Sequence, residues 1–171
     1  MSESTISAYA GDYEKALELA ENVSRRLFRS SFRYFQLLRV TTDYSLAYSA
    51  LRLASTRENR KPLLKIARER AKRLTGEEFP TAAPYISYIN GSVAHLQGDD
   101  ENAVKYLRES VVAFDAIQFK LDAAATNRQL GRLLGGDEGR VLVAQADATM
   151  KEEGIVRPDR IAAMLAPGFG D

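Results

Sequence analysis

The residue types that carry most enzyme chemistry are scarce in this chain. Among 171 residues there is no cysteine and one histidine, His95. That excludes a cysteine nucleophile and a Cys/His zinc site, and it leaves little for a Ser-His-Asp arrangement. His95 has no carboxylate at ligand spacing and reads as a packing or solvent-facing residue. Adjacent acids occur at Glu77-Glu78 and at Asp99-Asp100-Glu101. Their places in a turn and at a helix start assign them to capping and to the helix dipole. No catalytic, cofactor-binding or metal-ligating residue is expected, so the chain is read as a non-enzyme.

Charge gives a more promising surface. The chain is nearly neutral overall, with 24 Lys+Arg against 23 Asp+Glu. Its halves are not. Residues 1–75 carry a net +7 and residues 76–171 a net −6. Within 52–73 lie Arg52, Arg57, Arg60, Lys61, Lys65, Arg68, Arg70, Lys72 and Arg73, against only Glu58 and Glu69. Read as one basic helix 52–73, the cluster offers a partner surface at Arg52, Arg57, Arg60, Lys61, Lys65, Arg68 and Lys72. No aromatic lies between Tyr48 and Phe79, so base stacking has no platform there. The cluster can equally be the solvated face of one helix; as a binding surface it suits an acidic protein partner, or the acidic half of another copy, better than nucleic acid. The aromatic group Phe28, Phe32, Tyr34, Phe35, Tyr44 and Tyr48 exceeds one helix stripe, and most of it is expected in a core at the first helix junction.

Helices must position these residues. Apolar residues recur three and four apart over nearly the whole chain, which predicts helices at 12–28, 31–55, 59–74, 81–97, 100–117, 119–134 and 137–153, and a short turn from Pro158 to about Leu165. Asp12 and Asp99 are placed as N-caps, and Asp137 as the cap of the seventh helix. Pro62 is tolerable only in a first turn. No stretch alternates cleanly enough for a strand. No apolar run approaches the roughly 20 residues needed to span a bilayer. The first residues, Met1-Ser2-Glu3-Ser4-Thr5, show no basic-then-apolar leader pattern, and a cytoplasmic setting is the default expectation.

The helices also repeat. GDYEKALELAENV begins at Gly11 and GDDENAVKYLRESV at Gly98, an offset of 87 residues. One intervening unit of about 43–44 residues fits between them, which predicts stacked helix pairs. The division expected is one helical-repeat domain over 1–171. It comprises a half repeat 12–28, a degenerate repeat 31–74, a best-matching repeat 81–117, a terminal hairpin 119–153 and a C-terminal cap 157–171.

Gly91, followed by Gly98-Asp99, Ala103 and Leu107, resembles the tetratricopeptide-repeat pattern, and Gly11 with Ala16 matches its second half. The resemblance implies an all-α, right-handed superhelix of antiparallel helix pairs, about seven helices in all. It also implies that Gly11, Ala16, Gly91, Gly98, Ala103 and Leu107 pack the crossings. A large aromatic early in the first helix and a proline after the second are missing, since Ser87 stands at the former. The run NRQLGRLLGGDEGRVLVAQADATMKEEGIVRPDRIAAMLAPGF resembles the C-terminal end of bacterial multidomain serine/threonine protein kinases. That likeness implies a catalytically silent regulatory repeat region; no kinase signature is present in the chain itself. Gly135-Gly136-Asp137-Glu138 also spells the signature of diguanylate cyclases. There it sits on a hairpin before an aromatic, whereas here Gly139 follows and helical stripes flank it.

Two further expectations concern the ends. Ile161, Met164, Leu165 and Phe169 make the last segment too apolar to float, and it should dock as a cap on the last hairpin. Only about ten residues precede helix 12–28, too few for a full partner helix of some 12–15 residues. An apolar face should therefore stay bare and favour a homodimer through the N-terminal end. The expected partner is a protein or peptide. The other reading is a free-standing repeat regulator that binds nucleic acid or an acidic partner through 52–73.

Overall fold

Four of the interhelical turns use one piece of backbone chemistry. At Gly11, Gly98 and Gly154 the chain enters the left-handed region, with φ of +87°, +83° and +82°. The following N–H then reaches back across the helix end: Asp12 to Ser7 O at 2.9 Å, Asp99 to Ala94 O at 3.0 Å, and Ile155 to Met150 O at 2.9 Å. Such a turn satisfies carbonyls that the helix end leaves orphaned, and glycine enters it without a Cβ penalty. Gln118, at φ +60°, makes the same turn without glycine, and Phe119 N donates to Phe114 O at 3.0 Å. After two of these turns an aspartate caps the next helix. Asp12 accepts from Lys15 N at 3.1 Å and Asp99 from Asn102 N at 3.2 Å. The 87-residue echo in the sequence is thus an echo of local geometry.

The computed structural model describes residues 3–169, so the outermost residues of the predicted 1–171 domain and of the 157–171 cap lie outside it. Among the described residues the chain is all-α, as expected, with helices α1 (Glu3–Tyr9), α2 (Tyr13–Arg29), α3 (Gln36–Ser55), α4 (Lys61–Leu74), α5 (Ala82–Leu96), α6 (Asp100–Ala116), α7 (Lys120–Leu134), α8 (Gly136–Glu152) and α9 (Pro158–Leu165). A 3-10 turn covers Ser31–Tyr34. Each helix packs on the next from α1 through α8. The odd-numbered helices also touch across the row, α1 on α3 and α3 on α5. One continuous core runs from Val40 on α3 to Met150 on α8, with Leu51, Tyr88, Ile89, Leu107, Phe114 and Leu130 almost fully buried. A smaller cluster, Leu17, Ala20, Leu46 and Ala50, joins α2 to α3.

The structure corrects several expectations. The predicted helix 31–55 is broken at Phe35, whose extended backbone (φ −81°, ψ 111°) ends the 3-10 turn and starts α3. Helix α8 begins at Gly136 with Gly135 as its cap, so Asp137 lies in the first turn and caps nothing. The N-terminal end is not bare. The seven-residue α1 is shorter than a full partner helix, but it packs on α2 and is touched by α3 and α9 as well, so it need not be stable alone. Ser4 Oγ donates to the carbonyl of the buried Ala16 at 2.8 Å, while Leu17 and Ala20 are buried against α3. The apolar face from which an N-terminal homodimer was argued is therefore largely covered, leaving Ile6, Tyr9 and Val23 exposed.

Gly91 meets Leu107 and Tyr106 where α5 crosses α6. A Cβ at Gly91 would stand 3.3 Å from Leu107, and Ala103 and Leu107 have no exposed surface. The tightest crossing lies elsewhere, between Gly131 on α7 and Gly139 on α8. A Cβ on Gly131 would sit 2.7 Å from Gly139 O, and one on Gly139 would collide with Gly131 O.

Candidate functional site

The face shared by the odd-numbered helices is where polar side chains are buried in numbers. Along α3 and α5 runs a set of tyrosines. Tyr44 stacks on Tyr85 with ring centres 4.1 Å apart and planes 10° off parallel. Tyr48 meets Tyr85 edge-on at 5.7 Å and Tyr88 at 5.2 Å, and Phe114 closes on Tyr85 at 5.2 Å. Burial drives the tyrosine hydroxyls far toward the neutral form. Asp122, in the first turn of α7, lies 3.5 Å from Tyr85 Oη. Its burial raises the carboxyl to about 6. The Tyr48 hydroxyl is buried with no protein partner, and it lines, with Ser4, Ser49, Arg52 and Asp122, a cavity of about 130 Å³.

The chain's own C-terminal segment lies on this face, held by backbone acceptors rather than by side chains alone. Arg52 on α3 donates to Met164 O. Gln129 Nε2 on α7 donates to Ala166 O at 3.0 Å. Tyr88 Oη on α5 donates to Pro167 O at 2.8 Å, and Ser92 Oγ shares its proton between Pro167 O at 3.2 Å and Tyr88 O of its own helix at 3.1 Å. Phe169 then stacks on His95 at 4.7 Å and meets Tyr88 at 6.3 Å. Gly168 makes the close fit possible: its φ is +110°, and a Cβ there would stand 3.0 Å from Ser92. The segment docks, but it is not only an end cap. Helix α9 packs on α7 and α8 and also reaches α1, so it crosses the row of hairpins.

The predicted partner surface is dispersed. No helix spans 52–73, because the chain turns between Ser55 and Lys61. Arg52 faces inward under α9, and burial lowers its pKa. Arg60 donates to Leu96 O at 3.3 Å. Arg57 pairs with Glu14, and Lys65 lies 3.9 Å from Glu69. Arg70 and Arg73 hold the buried Asp43 at 3.0 Å and 3.4 Å. Lys61, Lys65, Arg68 and Lys72 are left as an exposed stripe on α4.

The remaining candidates take structural places. Glu77 is gripped by Arg39 through two contacts of 2.6 Å and 2.7 Å, which hold its carboxyl low. His95 Nδ1 lies 2.7 Å from Asp100 Oδ1, a carboxylate that the sequence spacing gave no reason to pair with it. The early aromatics split. Tyr44 and Tyr48 join the core, Phe28 lies under the Arg73 guanidinium at 4.0 Å, and Phe32, Tyr34 and Phe35 are exposed. Among the described residues no helix is long and apolar enough to cross a membrane.

Sequence reasoning missed Tyr88, Ser92 and Gln129. The signal was there: each is a polar group interrupting the buried stripe of its helix, and a buried polar group must find a partner.

Comparison with family models, with curated proteins and with solved structures gives no match.

Proposed function

We propose that this chain is a non-catalytic interaction module of tetratricopeptide type, a right-handed array of antiparallel helix pairs whose odd-numbered face binds an extended peptide. The observation that carries this reading is the way its own segment is held. Arg52, Tyr88, Ser92 and Gln129 donate to three carbonyls within one four-residue stretch, at Met164, Ala166 and Pro167. Main-chain recognition of this kind supplies affinity with little dependence on side-chain sequence, while the His95 and Tyr88 rings select an aromatic at one position. The resemblance of roughly 60–170 to kinase C-terminal tails, carried by the run 127–169, supports a place in the regulatory region of a bacterial serine/threonine kinase. The alternative reading, through a basic helix 52–73, loses support because that helix does not exist as one surface.

The test uses the full chain. Gly168→Val puts a branched side chain at φ +110° and against Ser92, which ejects the segment and leaves the face intact. A fluorescent peptide of residues 157–171 should then bind the Gly168→Val chain in trans and fail to bind the parent, whose own segment competes. A folded Gly168→Val chain that ignores the peptide refutes the reading.

A further inference from the structure

A second concavity, of about 680 Å³, opens where the α1–α2 turn meets α3, α7 and α9. Its lining carries four guanidiniums, Arg52, Arg128, Arg132 and Arg160, against one carboxylate, Asp159. That carboxylate is already engaged, with Arg157 Nε and Nη2 at 3.1 Å and 2.9 Å. Arg128 is engaged too, with Asp147 at 2.8 Å. The other three reach into the same space by different routes. Arg52 donates to Met164 O, Arg132 to Gln129 Oε1 at 3.4 Å, and Arg160 lies 5.5 Å from the centre of the Tyr9 ring. Positive charge therefore accumulates in a concave site walled by protein, where field lines concentrate and anions are drawn in.

We propose that this cleft binds a phosphate-bearing ligand, with Arg132 and Arg160 gripping the phosphate oxygens from α7 and α9, and Tyr9 and Tyr13 flanking the organic part. Phosphate is favoured over carboxylate by charge and by geometry. A phosphate monoester carries nearly two charges and three strong acceptors, which suits several guanidinium forks, whereas a lone carboxylate is saturated by one. The volume is also in the range of small-molecule sites, about 300–1,000 Å³, and leaves room beside a phosphate for an attached group. Arg132 and Arg160 are exposed and can be changed without opening the core. Arg160 lies on the C-terminal segment itself, so the site exists while that segment is docked, as it is in the parent chain used for the test.

The test is calorimetric titration of the full chain with inorganic pyrophosphate, ADP and O-phosphoserine, with glutamate as a carboxylate control. At least one phosphate probe should bind with a Kd below about 1 mM near physiological salt. Arg132→Ala and Arg160→Ala should each weaken it about ten-fold or more, and Arg→Lys at either position should restore only part of the loss. A double change on the exposed stripe of α4, Lys65→Ala with Arg68→Ala, should leave it unaltered. ADP outranking pyrophosphate points to a nucleotide as source, and phosphoserine outranking both points to a modified peptide; either supports a phosphate site. Three results overturn the proposal: no phosphate probe binds, glutamate binds equally well, or the α4 double change weakens binding as much as the cleft changes do.

Discussion

Asp122→Asn should make the protein more stable at neutral pH, and only there. Asp122 sits among Tyr44, Tyr48 and Tyr85 with a single distant hydroxyl for company, and burial lifts its carboxyl from 3.8 to about 6. A raised carboxyl means that the folded chain holds its proton where the unfolded chain has released it. Folding stability therefore falls as pH rises from about 4 to about 6, and the full penalty persists above that. Two pKa units correspond to about 3 kcal/mol. Asparagine is nearly isosteric with the neutral acid and carries no charge to desolvate. The variant should gain about 2–3 kcal/mol at pH 7.5 and nothing at pH 3.5.

Urea unfolding of both chains across that range provides the measurement. Asp43, which burial also raises, and Asp159, lowered to about 2 by Arg157, titrate alike in both. The difference between the two stability curves isolates Asp122. Parallel curves, or a parent more stable than the variant at pH 7.5, would refute the desolvation argument and imply a stronger partner for the carboxylate than Tyr85.

Gly139→Ala gains about 1 kcal/mol of helix propensity but drives a methyl into the Gly131 carbonyl, so a net loss of about 1–3 kcal/mol is expected in thermal or urea unfolding. Gly76→Ala, whose Cβ would stand 3.6 Å from Arg73 O, is the control and should change stability by less than about 0.5 kcal/mol. Gln118→Gly should stabilise by up to about 1 kcal/mol, since a non-glycine residue at φ +60° carries strain that exceeds glycine's entropic cost. Asp43→Ala should cost about 2–4 kcal/mol, because it strands Arg70 in the interior; Arg73 reaches solvent and limits the loss.

What was legible in the sequence was legible for local reasons. Gly11-Asp12 and Gly98-Asp99 announce a left-handed turn and an N-cap within a few residues, and both helix starts were placed by them. The break at Phe35 was not, because no glycine or proline marks it and the apolar spacing runs on through it. The short α1 carries too little periodicity to declare itself; it is held by packing on α2, with further contacts to α3 and α9. The basic run misled for a related reason. Nearness in sequence from Arg52 to Arg73 crosses a turn, and the turn sends Arg52 under α9 while Lys65 stays in solvent. Gly131 and Gly139 belong to two helices, so their contact is a tertiary fact with no one-dimensional signature beyond the two glycines themselves.

The C-terminal segment changes what kind of object the row of hairpins is. In a simple stack each unit touches only its neighbours, so ends fray independently and stability is close to a sum of local terms. Here α9 touches α1 as well as α7 and α8 and is bonded to α3 through Met164, and the segment after it is bonded to α5 and α7. One stretch of chain thereby links the first hairpin to the last. Opening either end requires breaking contacts with that segment, which couples units that would otherwise open alone. A partner peptide that displaced the segment would have to supply its backbone bonds and its aromatic, and would also uncouple the two ends. On the proposed reading, binding on this face would draw on the same few side chains that hold the array together, Arg52, Tyr88, Ser92 and Gln129.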